Sequence, residues 1–434
     1  MARAKTGQAA KGTEMADQSA APAAALTTAD GRPLKAALAR AQLRAKRRAF
    51  LLVLPLLAFI VITFVIPIGQ MLHQSIYNDK FSANMPRMVA WFEANAPGTP
   101  PDEAAYEALV LDIQDSAAAR TIGEVGTRVN YEYSGTRSLF TSAGRNFKKL
   151  EPPYMEGVLA HDEKWADPAL WATMRQVAPA YSANFFLAAL DMTRDNNGEI
   201  VSVSEDRQIY VTLFTRTFVM AGMITVICLI MAYPIAHLLA TLSLKWSNLL
   251  MILVLLPFWT SLLVRTTSWM VLLQQQGVVN NTLVALGIIG EDGRIAMMYN
   301  QAGTIIAMTH ILLPFMILPL YSVMRPIPPS YVRAARSLGA TSWTAFRRVY
   351  LPQTLPGIGA GSLLVFILAV GYYITPALVG GASGQLISNL IAFHMTNSLN
   401  WSLAAALAAI LLAMVLILYW LYDKLVGIDN LKLG

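Results

Sequence analysis

Cysteine is almost missing: Cys228 is the only one in 434 residues, so no disulfide framework can form within the chain. Charge is scarce as well. Lys, Arg, Asp and Glu make up 14% of the residues against 55% that are hydrophobic, and the mean hydropathy is +0.47. That balance excludes an ordinary soluble globular protein and makes an integral membrane protein the expectation. The chain has no G-x-x-x-x-G-K-[ST] loop to cradle phosphates, no H-E-x-x-H and no close Cys/His cluster at zinc spacing. No metal or cofactor is expected on this chain and it does not read as an enzyme. Any ATP-driven step would have to occur on another polypeptide.

What the chain does have is long apolar runs. Six are long enough to cross a bilayer as helices, at 50–68, 218–239, 249–270, 302–324, 358–380 and 403–421. The expected fold is therefore all-α, a polytopic membrane protein with six transmembrane helices. None of the six contains Asp or Glu, which argues against the carboxylate relay of a proton-coupled pump. Several contain proline (Pro234, Pro257, Pro314, Pro319, Pro376), which marks either a kink or a broken helix lining a pathway.

The net charge of +7 is topological rather than a nucleic-acid signature. Residues 1–49 carry ten basic and three acidic side chains, ending in Arg44, Lys46, Arg47 and Arg48; the 325–354 loop has five arginines and no acid; residues 71–205 carry eleven basic and eighteen acidic ones. The positive-inside rule then places both termini and the 325–354 loop in the cytoplasm and 71–205 outside. Residues 1–49 read mostly as a disordered basic tail and 426–434 as a short cytoplasmic tail. A cleavable signal peptide is disfavoured by the length of the tail and of the apolar run after it. The first transmembrane segment occupies 50–70, an insertion of mostly helical character 71–205, and a five-helix core 206–425. Within the insertion, Thr193 to Ser204 partly resembles a calcium loop, but Thr193 and Ser204 stand where its first and last acids belong. A turn at Asn197 and Gly198 leading into a short strand fits better.

The stretch YVRAARSLGATSWTAFRRVYLPQ, 331–353, predicts two short helices. Ser330 is placed to cap the first, Gly339 to end it in a left-handed turn, and Thr341 or Ser342 to cap the second, which should stop before Pro352. Ala334, Ala335, Leu338, Phe346 and Val349 would form an apolar knob rimmed by arginines. Such a knob suits docking into a groove on a soluble partner. It equally suits an interfacial helix held by anionic lipid.

Ala334-Ala335, Gly339-Ala340, Phe346 and Leu351-Pro352 resemble the E-A-A-x-x-x-G-A motif, followed by an aromatic and L-P, of permease subunits of binding-protein-dependent ABC importers. LPFWTSLLVRTTSWMVLLQQQGVVN (256–280), LLPFMILPLYSV (312–323) and GYYITPALVGG (371–381) resemble the spermidine/putrescine-type branch. The resemblance covers about 210–425 and the first span. It implies the type I importer fold in the bacterial inner membrane, with a dimer of ATP-binding subunits holding ATP and Mg, a second permease bearing the same motif, and a periplasmic solute-binding protein as partners. Arg333, Ala334, Ala335, Gly339, Ala340, Phe346, Leu351 and Pro352 would then belong to the ATPase-coupling loop. The departure is Arg333, where the family has glutamate. With Ser330 as N-cap it would fall at N3, losing a capping box and facing the helix dipole. Either the loop is less ordered without its partner or an acidic group on that partner compensates; the second predicts that Arg333→Glu weakens ATPase association.

Polar and aromatic residues inside the spans are the candidates for a solute pathway: Trp259, Thr260, Ser261, Arg265 and Trp269 on the third, and Tyr372, Tyr373 and Thr375 on the fifth. Ser261, Arg265 and Trp269 would share one helix face. Alternatively, Arg265 bonds helix-end carbonyls and the tryptophans form an interfacial belt. His310 is expected to make an interhelical hydrogen bond. The solute itself is not legible; the spans offer aromatic faces for a cation but no carboxylate. A membrane receptor using 71–205 as its sensor is the competing reading.

Overall fold

A computed structural model describes residues 34–195 and 198–426. It has two compact units, 1–69 and 70–434. In the first, the described chain is one apolar helix. It begins at Leu34, runs to Ile60, widens into a π turn at Val61–Val65 and resumes as α-helix at Ile66. The basic cluster Arg44 to Arg48 is thus helical, which corrects the disorder expected for 34–49; residues 1–33 and the C-terminal tail from 427 lie outside the described residues. The π turn has a local cause. Pro67 has no N–H to give and its ring would press on the carbonyl one turn back. The Ile66 N–H reaches Val61 O instead, opening the turn just ahead of the proline.

The second unit contains the insertion and the remaining spans. The insertion is helical, as expected, with Asp102 and Asp167 capping two of its helices through Ala105 N at 3.0 Å and Ala169 N at 2.8 Å. Its core holds Phe81, Tyr106, Phe140 and Trp165. Arg175 closes the end of the Pro86–Ala94 helix by donating to the carbonyls of Phe92 and Asn95, both at 2.7 Å. Strands Met192–Arg194 and Ile200–Ser202 pair as an antiparallel hairpin. Gly198 sits at φ +89° within its turn, in line with the turn reading, although Asn197 is outside the described residues.

Four membrane helices follow as long elements: Tyr210–Thr241, Gln301–Met324, Ser342–Gly371 and Trp401–Lys424. The third expected span is not continuous. Leu244–Trp259 and Leu262–Ala285 meet at 96°, because Pro257 tightens the chain into a 3-10 turn and Ser261 starts a new helix by accepting from Val264 N. The fifth is also broken at its far end, Gly371 being its last helical residue before a short helix at Ile374–Val379. Met220, Cys228, Met308, Met316, Val365 and Val370 form the bundle core. Gly357 and Gly361 let the fifth span approach the fourth closely. A Cβ on either would lie 3.2 Å from a fourth-span carbonyl, that of Pro319 or Met316.

The insertion is fastened to this bundle at three places. Phe185 and Ala189 join Phe214, Ile387, Leu403 and Leu407 in one apolar cluster. Tyr131 Oη donates to Leu399 O at 3.0 Å, and Asn78 Nδ2 to Ser402 Oγ at 3.2 Å. Asp191, buried and at φ +56°, accepts from Ile209 N and Tyr210 N, each at 3.1 Å, and from Val211 N at 2.8 Å. A carboxylate from the insertion therefore caps the amino end of the second span.

Candidate functional site: a two-helix hairpin and a broken-helix junction

The hairpin is two-helical, but its start differs from the sequence expectation. Its first helix is Pro329–Ser337, with Pro328 as N-cap and Pro329 at N1. A proline suits N1, where no N–H is needed. Ser330 is consequently inside the helix and Arg333 lies at its fifth position, not at N3. In that register no capping box is lost at Arg333. The side chain instead lines a cavity of about 840 Å³ with His237, Arg325, Pro328, Val332, Phe346 and Tyr350.

The end of the helix explains the motif's spacing. Gly339 stands at φ +90°, its N–H bonds Arg336 O at 3.0 Å, and the Ala340 N–H bonds Ala335 O at 3.1 Å. This is a Schellman turn, in which the residue after the cap must enter the left-handed region and small residues flank it. Ala335, Gly339 and Ala340 are thus its structural frame. Thr341 then caps the second helix, its Oγ1 accepting from Thr344 N at 3.2 Å.

That second helix does not stop before Pro352. It passes through a π turn at Phe346–Tyr350, where Leu351 N bonds Phe346 O, and runs on as the fifth span. The same device seen before Pro67 absorbs Pro352. The hairpin is therefore rigidly continuous with a membrane helix. Phe346 is also turned inward, against Tyr233 at 6.1 Å and Tyr350 at 6.1 Å between ring centres. It anchors the hairpin and is not part of the exposed knob. The free apolar surface comes from Leu338, 89% exposed, and Trp343, 67% exposed, with Ala334 exposed beside them. Trp343 was not singled out from sequence, where it reads as one more aromatic beside Phe346. Behind the hairpin Arg325 closes the second span, donating to Ala240 O at 2.7 Å and Leu242 O at 2.9 Å.

The solute-pathway candidates separate. Trp259 is 87% exposed and Thr260 Oγ1 donates to Pro257 O at 2.8 Å; with Ser261 they make the elbow of the third span. Arg265 and Trp269 lie beyond the elbow on Leu262–Leu273. Trp269 Nε1 donates to His310 Nδ1 at 3.0 Å, the interhelical bond expected of His310. Thr375 is brought to Thr266, a residue missed from sequence, at 3.1 Å with both side chains buried. Tyr372 and Tyr373 occupy the break in the fifth span and, with Leu262 and Ile374, line a cavity of about 190 Å³. Their carbonyls, freed by the break, accept from Ser388 Oγ at 2.6 Å and Asn389 Nδ2 at 2.7 Å. The adjacent Ser388 and Asn389 in an apolar run were the available signal for that support.

Residues 205–426 match the family described as binding-protein-dependent transport system inner membrane component. The insertion and the first span lie outside that match. The spermidine/putrescine transport system permease protein PotB of Haemophilus influenzae is 37% identical over 222 residues, covering 50% of this chain and 77% of that protein. The inner membrane ABC transporter permease protein YdcU of Escherichia coli is 33% identical over 225 residues, covering 50% and 71%. A solved bacterial ABC transporter involved in import of the acidic polysaccharide alginate has a chain 17% identical, covering 51% of this chain and 80% of that one at a TM-score of 0.43. With its apolar spans, its Schellman-turned hairpin and this match over half its length, the chain belongs to the inner-membrane permease family of binding-protein-dependent ABC importers.

Proposed function

We propose that the chain forms one half of the translocation pathway of an ATP-driven importer for a small organic solute of the polyamine type, delivered by a periplasmic binding protein. The observation that carries this is the hairpin at Pro329–Tyr350. It offers Leu338 and Trp343 to a partner while being continuous with the fifth span, so a push on the hairpin is a push on a membrane helix. In this reading the hairpin is cytoplasmic and sits in a cleft of a separate ATPase, which holds ATP and Mg; hydrolysis is not performed by this chain. A second permease subunit completes the pathway. The polyamine assignment draws on the spermidine/putrescine permease named among the relatives.

The insertion takes a place in the same mechanism. It lies on the opposite side from the hairpin in the charge-derived topology, and its Asp191 holds the amino end of the second span. A binding protein seated on it would act on that span directly. The test is co-expression of this chain with its ATPase, second permease and binding protein, followed by co-purification and uptake of labelled spermidine. Uptake that requires all four chains, and is lost when the hairpin is altered, supports the reading. Uptake without the ATPase, or an ATPase that never co-purifies, contradicts it.

A further inference from the structure

We propose that Arg265 is the fixed cation of a binding position for a carboxylate that comes from outside this chain. The guanidinium lies on Leu262–Leu273, just past the elbow of the third span, and its Nε is buried with no hydrogen-bond partner. A buried charged donor without a partner is costly in a membrane protein and calls for a counter-charge. Among the described residues no ion pair engages Arg265. Residues 207–290 and 293–422 contain no Asp or Glu, and Glu291 is already paired with Arg294 at 2.7 Å.

His310 and Tyr372 are within electrostatic range of Arg265. Because the indole N–H of Trp269 donates to His310 Nδ1 at 3.0 Å, the ring is the neutral tautomer with its proton on Nε2, and it has no lone pair left for Arg265. The Tyr372 carbonyl is taken by Ser388 Oγ at 2.6 Å, and the Thr266 hydroxyl is shared between Leu262 O at 2.9 Å and Thr375 at 3.1 Å. A guanidinium fork and an imidazole N–H within electrostatic range of each other make a place for a planar anion. A carboxylate is the group whose geometry matches the fork.

Two sources can deliver it: an acidic side chain of the second permease subunit, or a carboxylate on the solute, which would then be an amino acid rather than a simple polyamine. Both sources rest on the importer reading, and the experiment separates them. The complete importer is reconstituted in vesicles with wild-type chain, Arg265→Gln, Arg265→Met or Arg265→Lys. The probes are putrescine and 4-aminobutanoate, which share a carbon chain and differ in one end group. Melting of the purified permease pair is followed alongside. If the solute brings the carboxylate, Arg265→Gln loses 4-aminobutanoate uptake by about tenfold or more relative to putrescine, Arg265→Lys falls between, and the pair melts as before. If the partner brings it, Arg265→Gln lowers the melting temperature of the pair and slows both probes alike. Wild-type behaviour of Arg265→Gln and Arg265→Met in both readouts overturns the inference. Failure of the wild-type assembly to take up either probe counts against the importer reading, and the melting comparison then decides the inference by itself.

Discussion

Asp191 lies at the end of the insertion, and its carboxylate accepts the Val211 N–H at 2.8 Å, inside the first turn of the second span. With the Ile209 and Tyr210 N–H groups on its other oxygen, one side chain satisfies three donors that the helix itself cannot. Removing it leaves these half-buried N–H groups at the helix start without their partner. Asp191→Ala should destabilise the chain by about 2 kcal/mol. Asp191→Asn should cost less, since its amide oxygen still accepts and asparagine tolerates a positive φ. Thermal unfolding in detergent measures both; an unchanged Asp191→Ala would mean the insertion is not mechanically tied to that span.

Gly339 has no atom within 4 Å of where a Cβ would stand, yet its φ is +90°. Its substitution therefore tests backbone conformation without steric interference. Gly339→Ala should cost about 1 kcal/mol of local stability and weaken ATPase capture, with Gly339→Asn milder and Gly339→Val worse. Equal capture by all three would detach the Schellman turn from coupling.

Leu338 and Trp343 face outward while Phe346 packs inward, so their substitutions should fail in different ways. Leu338→Asp should leave the melting temperature unchanged and reduce ATPase co-purification by about tenfold or more, as expected of a hot-spot position; Trp343→Asp should reduce it similarly with a small loss of stability, because the ring also stacks on Phe346 at 5.6 Å. Phe346→Ala should lower stability by about 2 to 3 kcal/mol through lost packing on Tyr233 and Tyr350. A Leu338 or Trp343 variant that captures the ATPase normally would place the docking surface elsewhere.

Within the insertion, Asp112 is fully buried beside Arg87 at 3.0 Å and Met88 N at 2.9 Å. Burial pushes its carboxyl above the ordinary carboxylate range, outweighing the Met88 N–H and Arg87, which pull it down. The folded chain then holds this proton more tightly than the unfolded chain does. Its contribution to stability is full below the unfolded value of about 4 and is lost as pH rises through the higher folded value. Unfolding followed by the fluorescence of buried Trp165 should show wild type losing stability across that window relative to Asp112→Asn. Parallel pH profiles would refute the assignment.

The spans and the motif were legible because they rest on composition and on residues whose physics is local. Long apolar runs, a glycine that must turn left-handed and a threonine that caps its own helix need no knowledge of the rest of the chain. What escaped was partly decided at a distance. The helix start at Pro329 rather than after Ser330 follows from the fit of a proline to the first helical position, and it removed Arg333 from N3. The third span broke at Trp259 and Ser261, and the fifth broke at Tyr372, where Ser388 and Asn389 from another helix satisfy the carbonyls that a break exposes. Likewise, Pro352 predicts a stop, but a π turn carries the helix through it.

The central claim is that the hairpin transmits ATP turnover to the pathway, and the most direct measurement is ATP hydrolysis by the reconstituted importer with and without spermidine-loaded binding protein. Wild type should be stimulated by the loaded binding protein. Leu338→Asp should abolish that stimulation while the two permease subunits remain paired. Stimulation that survives loss of Leu338 and Trp343 together would contradict the account.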